Sequence, residues 1–467
     1  MTSQFTNSLP RDFVWGAATA SYQIEGAAHE DGRGESVWDR FCATPGKVRN
    51  GDDGGIACDF YHRYHDDIAL MRELGLDAFR FSIAWPRVLP EGRGRVNEKG
   101  LDFYDRLVDE LLGSGITPFV TLFHWDTPQV IEDAGGWPSR DTVEAFCEYV
   151  EAVAGRLGDR VTRWITHNEP WVVSWVGHAW GHHAPGRKSD PDALATAHHL
   201  LLTHGRAVDI LRRLSPGSEV GITLNLDHPY PATDDEADAA AARWVDGLHN
   251  RWFLDPIFHT RYPADMAEEW APIMPTIHDG DLETIAAPID FLGINNYTSP
   301  LVAADDNGGR SQIVRRQGVE HTDMGWEIVP DGLHDLLVRV HGDYERASAG
   351  EIAEVVRPAL DAYLLEMQQQ ACHDVQEAEG HHAVAGIDEA WTAARAGRGH
   401  QLVVEQSLRY PARAVGDALA AAPADGPGVF DAVEVTLEEV IRHGGDVVVV
   451  PDGSLAGSGG IALLTRY

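Results

Sequence analysis

Six times between Phe13 and Val340, a short run rich in apolar, β-branched and aromatic residues gives way to a longer stretch with helical spacing. This alternation limits the chain more than any other feature, because successive parallel strands need crossover connections and those crossovers are right-handed. The strand candidates are Phe13 to Thr19, Asp77 to Ile83, Thr117 to Phe123, Val161 to Thr166, Glu219 to Asn225 and Asp290 to Tyr297. Helical spacing follows over Cys58 to Leu74, Leu101 to Leu112, Thr142 to Leu157, Pro191 to Leu214, Ala237 to Arg251 and Val329 to Val340. Gly75 and Gly115 stop the first two helices, and Pro330 with Asp331 favours the start of the last. Polar and aromatic residues gather at the strand ends, which favours a closing α/β barrel over an open doubly wound sheet. No Gly-x-Gly-x-x-Gly follows the first strand, so a dinucleotide fold has little support.

Within this frame the fourth strand ends in His167-Asn168-Glu169-Pro170. Pro170 stops the strand, leaving a carboxylate at its carboxyl end, where barrel loops form pockets on a rigid base. Beside it, the Asn168 amide could hold a sugar hydroxyl while the carboxyl group works on a glycosidic oxygen. A glutamate here can equally be an ordinary solvated side chain, and the choice rests on the neighbouring blocks. Fourteen tryptophans offer flat faces suited to sugar rings, although buried tryptophans are as often plain core.

The formal net charge of -36 argues against binding a polyanion through a general basic surface, so no nucleic-acid partner is expected. Four cysteines without a CxxC pair suggest neither a disulfide framework nor a zinc site, and no metal or cofactor is implied. No apolar run is long enough to span a bilayer, and the polar start lacks the features of a signal peptide, which predicts a cytoplasmic protein.

Several blocks stand in order: Trp15-Gly16-Ala17-Ala18-Thr19, Tyr22-Gln23-Ile24-Glu25-Gly26, Arg80-Phe81-Ser82-Ile83-Ala84-Trp85-Pro86-Arg87, His124-Trp125-Asp126, Asn168-Glu169-Pro170-Trp171 and Asn295-Asn296-Tyr297. With these, residues from about Leu9 to about Asp343 closely resemble glycoside hydrolase family 1, the family of bacterial β-glucosidases. The resemblance implies a (β/α)8 TIM-type barrel and retaining hydrolysis of a small β-glycoside or oligosaccharide. It implies that Glu169 is the acid/base and that Gln23, His124, Trp125 and Asn168 grip the non-reducing sugar. It further implies that Arg80 steadies the nucleophile's charge, that Asn295 and Tyr297 stand near that nucleophile, and that Trp326 walls the aglycone side.

Retaining chemistry needs a second carboxyl group about 5 Å from the first. The family carries it in a Glu-Asn-Gly block on strand seven, and this chain contains no Glu-Asn-Gly. Resemblance stops near Gly342-Asp343-Tyr344, so the barrel is expected to lack its own strands 7 and 8, with a domain boundary near residues 345 and 346. The remainder predicts a long helix over Ile352 to Glu379, helices over Ala385 to Ala396 and Val429 to His443, and strands at His400 to Gln406, Asp446 to Pro451 and Ile461 to Tyr467. That pattern reads as a small three-layer α/β domain.

The words Gly397 to Glu405 and Gly444 to Gly453 resemble the carboxyl-terminal domain of bacterial proteins related to archaeal and eukaryotic release factors, which implies contact with the ribosome as a further partner. The join lacks a Gly, Ser or Pro linker, which points to a fusion inside the barrel. One arrangement would let the tail complete the site, with Gln401 to Gln406 lying against strand six to present Glu405 as the nucleophile and Val447 to Val450 closing the ring. Glu351 and Glu354 are nearer in the chain but fall on a predicted helix. Three functions stand open on sequence grounds: a β-glucosidase-type hydrolase, an inactive fusion that binds sugar weakly, and an interaction protein acting through its tail.

Overall fold

The computed structural model describes residues 13–305, 309–316, 318–344, 368–378, 382–415, 418–423, 429–443 and 445–466. These fall in two compact units, residues 13–344 and residues 368–466.

In the first unit, β1 (Gly16–Ala18), β2 (Ala78–Ser82), β3 (Thr117–Phe123), β4 (Arg163–Asn168), β5 (Glu219–Asn225) and β6 (Phe291–Asn295) form one parallel sheet in sequence order. The expected alternation is therefore realised. Each crossover carries helix, among them α1 (Phe60–Glu73), α2 (Glu98–Gly113), α3 (Asp141–Leu157), α4 (Asp190–Leu214) and α5 (Glu236–Asp246), and α6 (Gly332–Tyr344) follows the last strand. Among the described residues β1 pairs only with β2, and β6 only with β5. The strands with two neighbours are the buried ones, whereas β1 is exposed and β6 only half-buried. The first strand is also shorter than its apolar run suggests, because Phe13, Val14 and Trp15 lie outside the ladder and are exposed.

Trp85 anchors the core between the sheet and its helices. Its fully buried ring stacks on Tyr149 and meets Phe123, Trp137 and Phe146 edge-on, while its Nε1 donates to Gly92 O at 3.0 Å. A buried tryptophan whose N–H is satisfied gains its apolar area without the cost of an orphaned donor. Two residues on, buried Arg87 donates from Nε to Glu25 Oε2 at 3.0 Å and from Nη2 to Gly26 O at 3.1 Å. Tyr104 donates to the other Glu25 oxygen at 2.7 Å, and the guanidinium lies over the Tyr61 ring. Glu25 and Arg87 thus join the loops after β1 and β2 rather than acting on a ligand.

The second unit has its own sheet, built from β7 (Ala383–Ala385), β8 (Gly399–Glu405), β9 (Asp446–Val450) and β10 (Ile461–Thr465) in the order β7-β10-β8-β9. Successive side chains on a strand face opposite ways, and two separate apolar clusters result. Leu402, Val404, Ile461 and Leu463 pack against α7 (Ile387–Arg395) and α8 (Ala432–Arg442). Val403, Ala462 and Leu464 pack with Ala371 and Val375 of the helical segment 368–378. Most of the expected helix Ile352 to Glu379 lies outside the described residues, as do Glu351 and Glu354. Residues 383–385, at the edge of a predicted helix, form a strand, and a three-stranded sheet of Pro411–Val415, Ala418–Ala421 and Phe430–Asp431 lies where no strand was expected.

The arrangement in which Glu405 would serve the barrel is overturned. Its strand, β8, is hydrogen-bonded on both sides, parallel to β9 and antiparallel to β10, which leaves no free edge for pairing with β6. The Glu405 carboxylate accepts from Leu455 N at 2.7 Å, and β9 is a strand of that same sheet rather than a closing strand of the barrel.

Arg87→Met leaves the buried Glu25 charge without its cation, and breaking such a pair costs about 3–5 kcal/mol. Urea unfolding should report a loss of this size, and Glu25→Gln placed on the same background should recover part of it.

Candidate active site

The carboxyl ends of β2, β3, β4 and β6 deliver side chains to one hydrogen-bonded cluster centred on Asn168. Arg80 Nη2 donates to Asn168 Oδ1 at 2.5 Å and Arg80 Nε to Thr121 Oγ1 at 3.0 Å. Asn295 Nδ2 donates to the same Asn168 oxygen at 3.1 Å, while Asn168 Nδ2 faces His124 Nε2 at 3.1 Å. The Asn168 carbonyl accepts from Trp125 Nε1 at 2.9 Å. One amide therefore ties three other strands to β4.

Glu169 follows directly, and its backbone is left-handed with φ 52°. The β4–β5 register shifts between Ile165 and Asn168, so the last residues of β4 leave the regular pleat. Glu169 N still donates to Thr223 O at 2.8 Å, which holds the turn against β5. A left-handed glutamate costs about 1–3 kcal/mol and persists only where its surroundings over-determine it, as at active sites. Trp125 is likewise left-handed, with φ 78°, at the end of β3.

The Glu169 side chain is buried, and burial is the largest influence on its proton, pushing the pKa above the usual carboxylate range. Asn295, donating to Oε1 at 2.5 Å, opposes this shift, as do Arg80, His249 and a hydrogen bond from Tyr297. Asn295 and Tyr297, which the resemblance set beside a second carboxylate, therefore bond Glu169. Burial, and then the Arg80 charge, pushes His124 down to about 3, so its ring is neutral across the physiological range.

Burial brings Arg80 itself down to about 10, opposed by the charges of Glu169 and Tyr297. Among the described residues Arg80 hydrogen-bonds Thr121 and Asn168 and has no ion pair. At the rim, the Trp326 ring lies 5.3 Å from that of Tyr297, and both are exposed. Gln23 sits on the short helix Ser21–Ile24 after β1, exposed, and its side chain makes no hydrogen bond to this cluster. Nine of the ten predicted site residues therefore lie in the first unit, while Glu405 belongs to the other sheet.

Sequence reasoning missed Thr121, Asn225 and His249. Asn225 Nδ2 faces His249 Nε2 at 2.7 Å, His249 Nδ1 is 3.0 Å from Asp227 Oδ2, and its ring lies 4.2 Å from that of Trp171. The polar ending of β5, Asn225-Leu226-Asp227, was the available signal. His249 had none, since it arrives from the π-helical segment Gly247–Arg251 that continues α5.

A buried carboxyl group just past a barrel strand, an amide beside it and aromatic side chains at the rim are an arrangement that suits a glycoside-cleaving site. The comparisons agree. The chain matches the model of Glycosyl hydrolase family 1 over residues 5–354 and belongs to that family, which makes it an enzyme by descent. It is 48% identical over 342 residues to Beta-glucosidase A of Acetivibrio thermocellus, covering 72% of this chain and 76% of that protein. With Beta-glucosidase A of Thermotoga maritima it is 45% identical over 337 residues, covering 72% and 76%. The solved Thermotoga maritima β-glucosidase in complex with glucoimidazole superposes with a TM-score of 0.70 at 45% identity, over 72% of this chain and 76% of that one. The family fold is the (β/α)8 barrel, of which β1 to β6 form the curled parallel sheet.

Asp126, from the His-Trp-Asp block, belongs to the support beneath the site. It accepts from Ser21 Oγ at 2.6 Å, and burial pushes its pKa from 3.8 up to about 7. The folded state then keeps a proton that the unfolded chain releases, so this group's contribution to stability falls as pH rises from about 4 to about 7. Asp126→Asn removes that dependence. Thermal unfolding of this variant should gain on the parent between pH 4 and pH 8.

Proposed function

We propose that this chain binds β-glucosides in the cluster around Asn168 and protonates their glycosidic oxygen from Glu169. The observation that carries this reading is Glu169 itself: left-handed, buried, held by Asn295 and Tyr297, and with its pKa raised. A raised pKa keeps a carboxylic acid protonated closer to neutral pH, as a general acid requires. The naming of its relatives as β-glucosidases supports the substrate class. Asn168 and neutral His124 supply polar contacts for ring hydroxyls, and Trp326 supplies an apolar face on the side of the leaving group.

The second half of retaining chemistry is where this chain departs from its relatives. The Glu-Asn-Gly block is absent from the sequence, and Arg80 has no carboxylate partner among the described residues. We therefore place turnover far below that of a complete family member, by on the order of 10⁵ to 10⁶, the cost of losing a nucleophile from a concerted site. The pocket then acts mainly as a binder of β-glucosides, with proton donation intact.

Hydrolysis of an aryl β-glucoside by the full chain and by Glu169→Ala tests both halves. Residual hydrolysis by the parent should fall about 10²- to 10⁴-fold in the variant, the contribution of a positioned general acid. Robust turnover by the parent with retained configuration would place a second carboxylate opposite Glu169 and sink the low-turnover reading.

A further inference from the structure

We propose that the ion pair between Arg316 and Glu327 is a clasp that positions Trp326, and through it gives the pocket a preference for glucosides with a flat aromatic leaving group. The inference rests on the β-glucoside reading above and goes one step past it, from the wall on the aglycone side to what holds that wall. Trp326 stands in a segment that its own packing secures poorly. Met324, Trp326 and Ile328 are all exposed, and Gly325 is left-handed with φ 78°. A segment with few buried apolar contacts opens easily unless polar contacts hold it.

Glu327, the next residue, is buried and supplies those contacts. Its Oε1 accepts from Arg316 N at 2.7 Å and its Oε2 from Arg316 Nη1 at 2.5 Å, so both carboxylate oxygens are engaged. Bonds between a guanidinium and a carboxylate are roughly twice as strong as neutral ones. The same Nη1 donates to Ser299 O at 2.9 Å, and the guanidinium lies over the Tyr230 ring. The Glu327 carbonyl accepts from Thr298 Oγ1 at 2.9 Å. Thr298 follows Tyr297 as Glu327 follows Trp326, so these bonds fix the two backbones whose rings lie 5.3 Å apart. Tyr297 in turn bonds Glu169. A line of contacts therefore runs from the ion pair through Trp326 and Tyr297 to the acid. Thr322 N to Trp326 O at 2.8 Å and Ile328 N to Glu320 O at 2.9 Å hold the turn to itself, whereas the clasp ties it to the residues after β6. With either partner lost, the Trp326 segment is free to shift, and an aryl group loses the ring it would stack on while the glucose ring keeps its own contacts.

Isothermal calorimetry on the full chain with phenyl and methyl β-thioglucoside, whose sulfur links resist hydrolysis, reads the ratio of the two affinities. Trp326→Ala should lower the preference for the phenyl compound about 2- to 10-fold, the worth of one aromatic pair. Glu327→Gln and Arg316→Gln, made separately so that one misfolded variant does not decide the matter, should lower it to a similar extent. Glu327→Gln added to Trp326→Ala should lower it no further, because the pair acts through that ring, whereas two independent effects would add. An unchanged ratio in the folded clasp variants, or an additive loss in the double variant, overturns the clasp and leaves the sugar-binding reading in place. An unchanged ratio in Trp326→Ala removes the aromatic wall and the clasp together. Binding of neither compound removes the β-glucoside reading and the clasp with it.

Discussion

The contact between Arg80 and Asn168, 2.5 Å long, is the interaction on which the site depends. It joins β2 to β4 across the intervening strand β3, and Thr121 of β3 takes the second guanidinium bond. A parallel sheet fixes where its strand ends lie but not which way the last side chains turn. Arg80 and Asn168 settle that for three strands together, and Asn295 adds the fourth. A single amide serving three partners is economical, and it makes the cluster cooperative: each bond places the acceptor that the next one needs.

Strain follows from the same arrangement. Glu169 and Trp125 both adopt left-handed backbone at strand ends, and each is held by bonds that reach across strands: Glu169 N to Thr223, Trp125 Nε1 to the Asn168 carbonyl. The carboxyl group reaches the pocket because the chain leaves the regular pleat at this point, with the register shift against β5 marking the departure. Burial then sets its chemistry. A carboxylate withdrawn from water holds its proton more tightly, and the donors around Glu169 only partly offset that tendency.

The carboxyl-terminal unit obeys a separate logic. Its central strand β8 is paired on both sides and its apolar side chains alternate between two clusters, so its backbone and its core are completed internally. The barrel sheet, by contrast, ends at β1 and β6 with one neighbour each among the described residues. In the pocket beside that sheet, Asn295 and Tyr297 bond Glu169, and Arg80 bonds the neutral Thr121 and Asn168.

The sequence by itself determined the alternation of strands and helices, the six parallel strands, the position of Glu169 at the end of the fourth, and the family to which these belong. Those features are legible because they are local: strand and helix periods, a proline after a strand and contiguous motif blocks all lie within a few residues of one another. Only the tertiary structure decided that Asn295 and Tyr297 serve Glu169, that Asn168 is the hub, that His249 joins from beyond α5, and that Glu405 belongs to another sheet. Each of these is a contact between residues far apart in the chain, and periodicity carries no record of which distant side chain completes a hydrogen bond. Glu405 shows this most plainly, since its strand reads like any apolar strand, and only the partners on its two edges exclude it from the barrel.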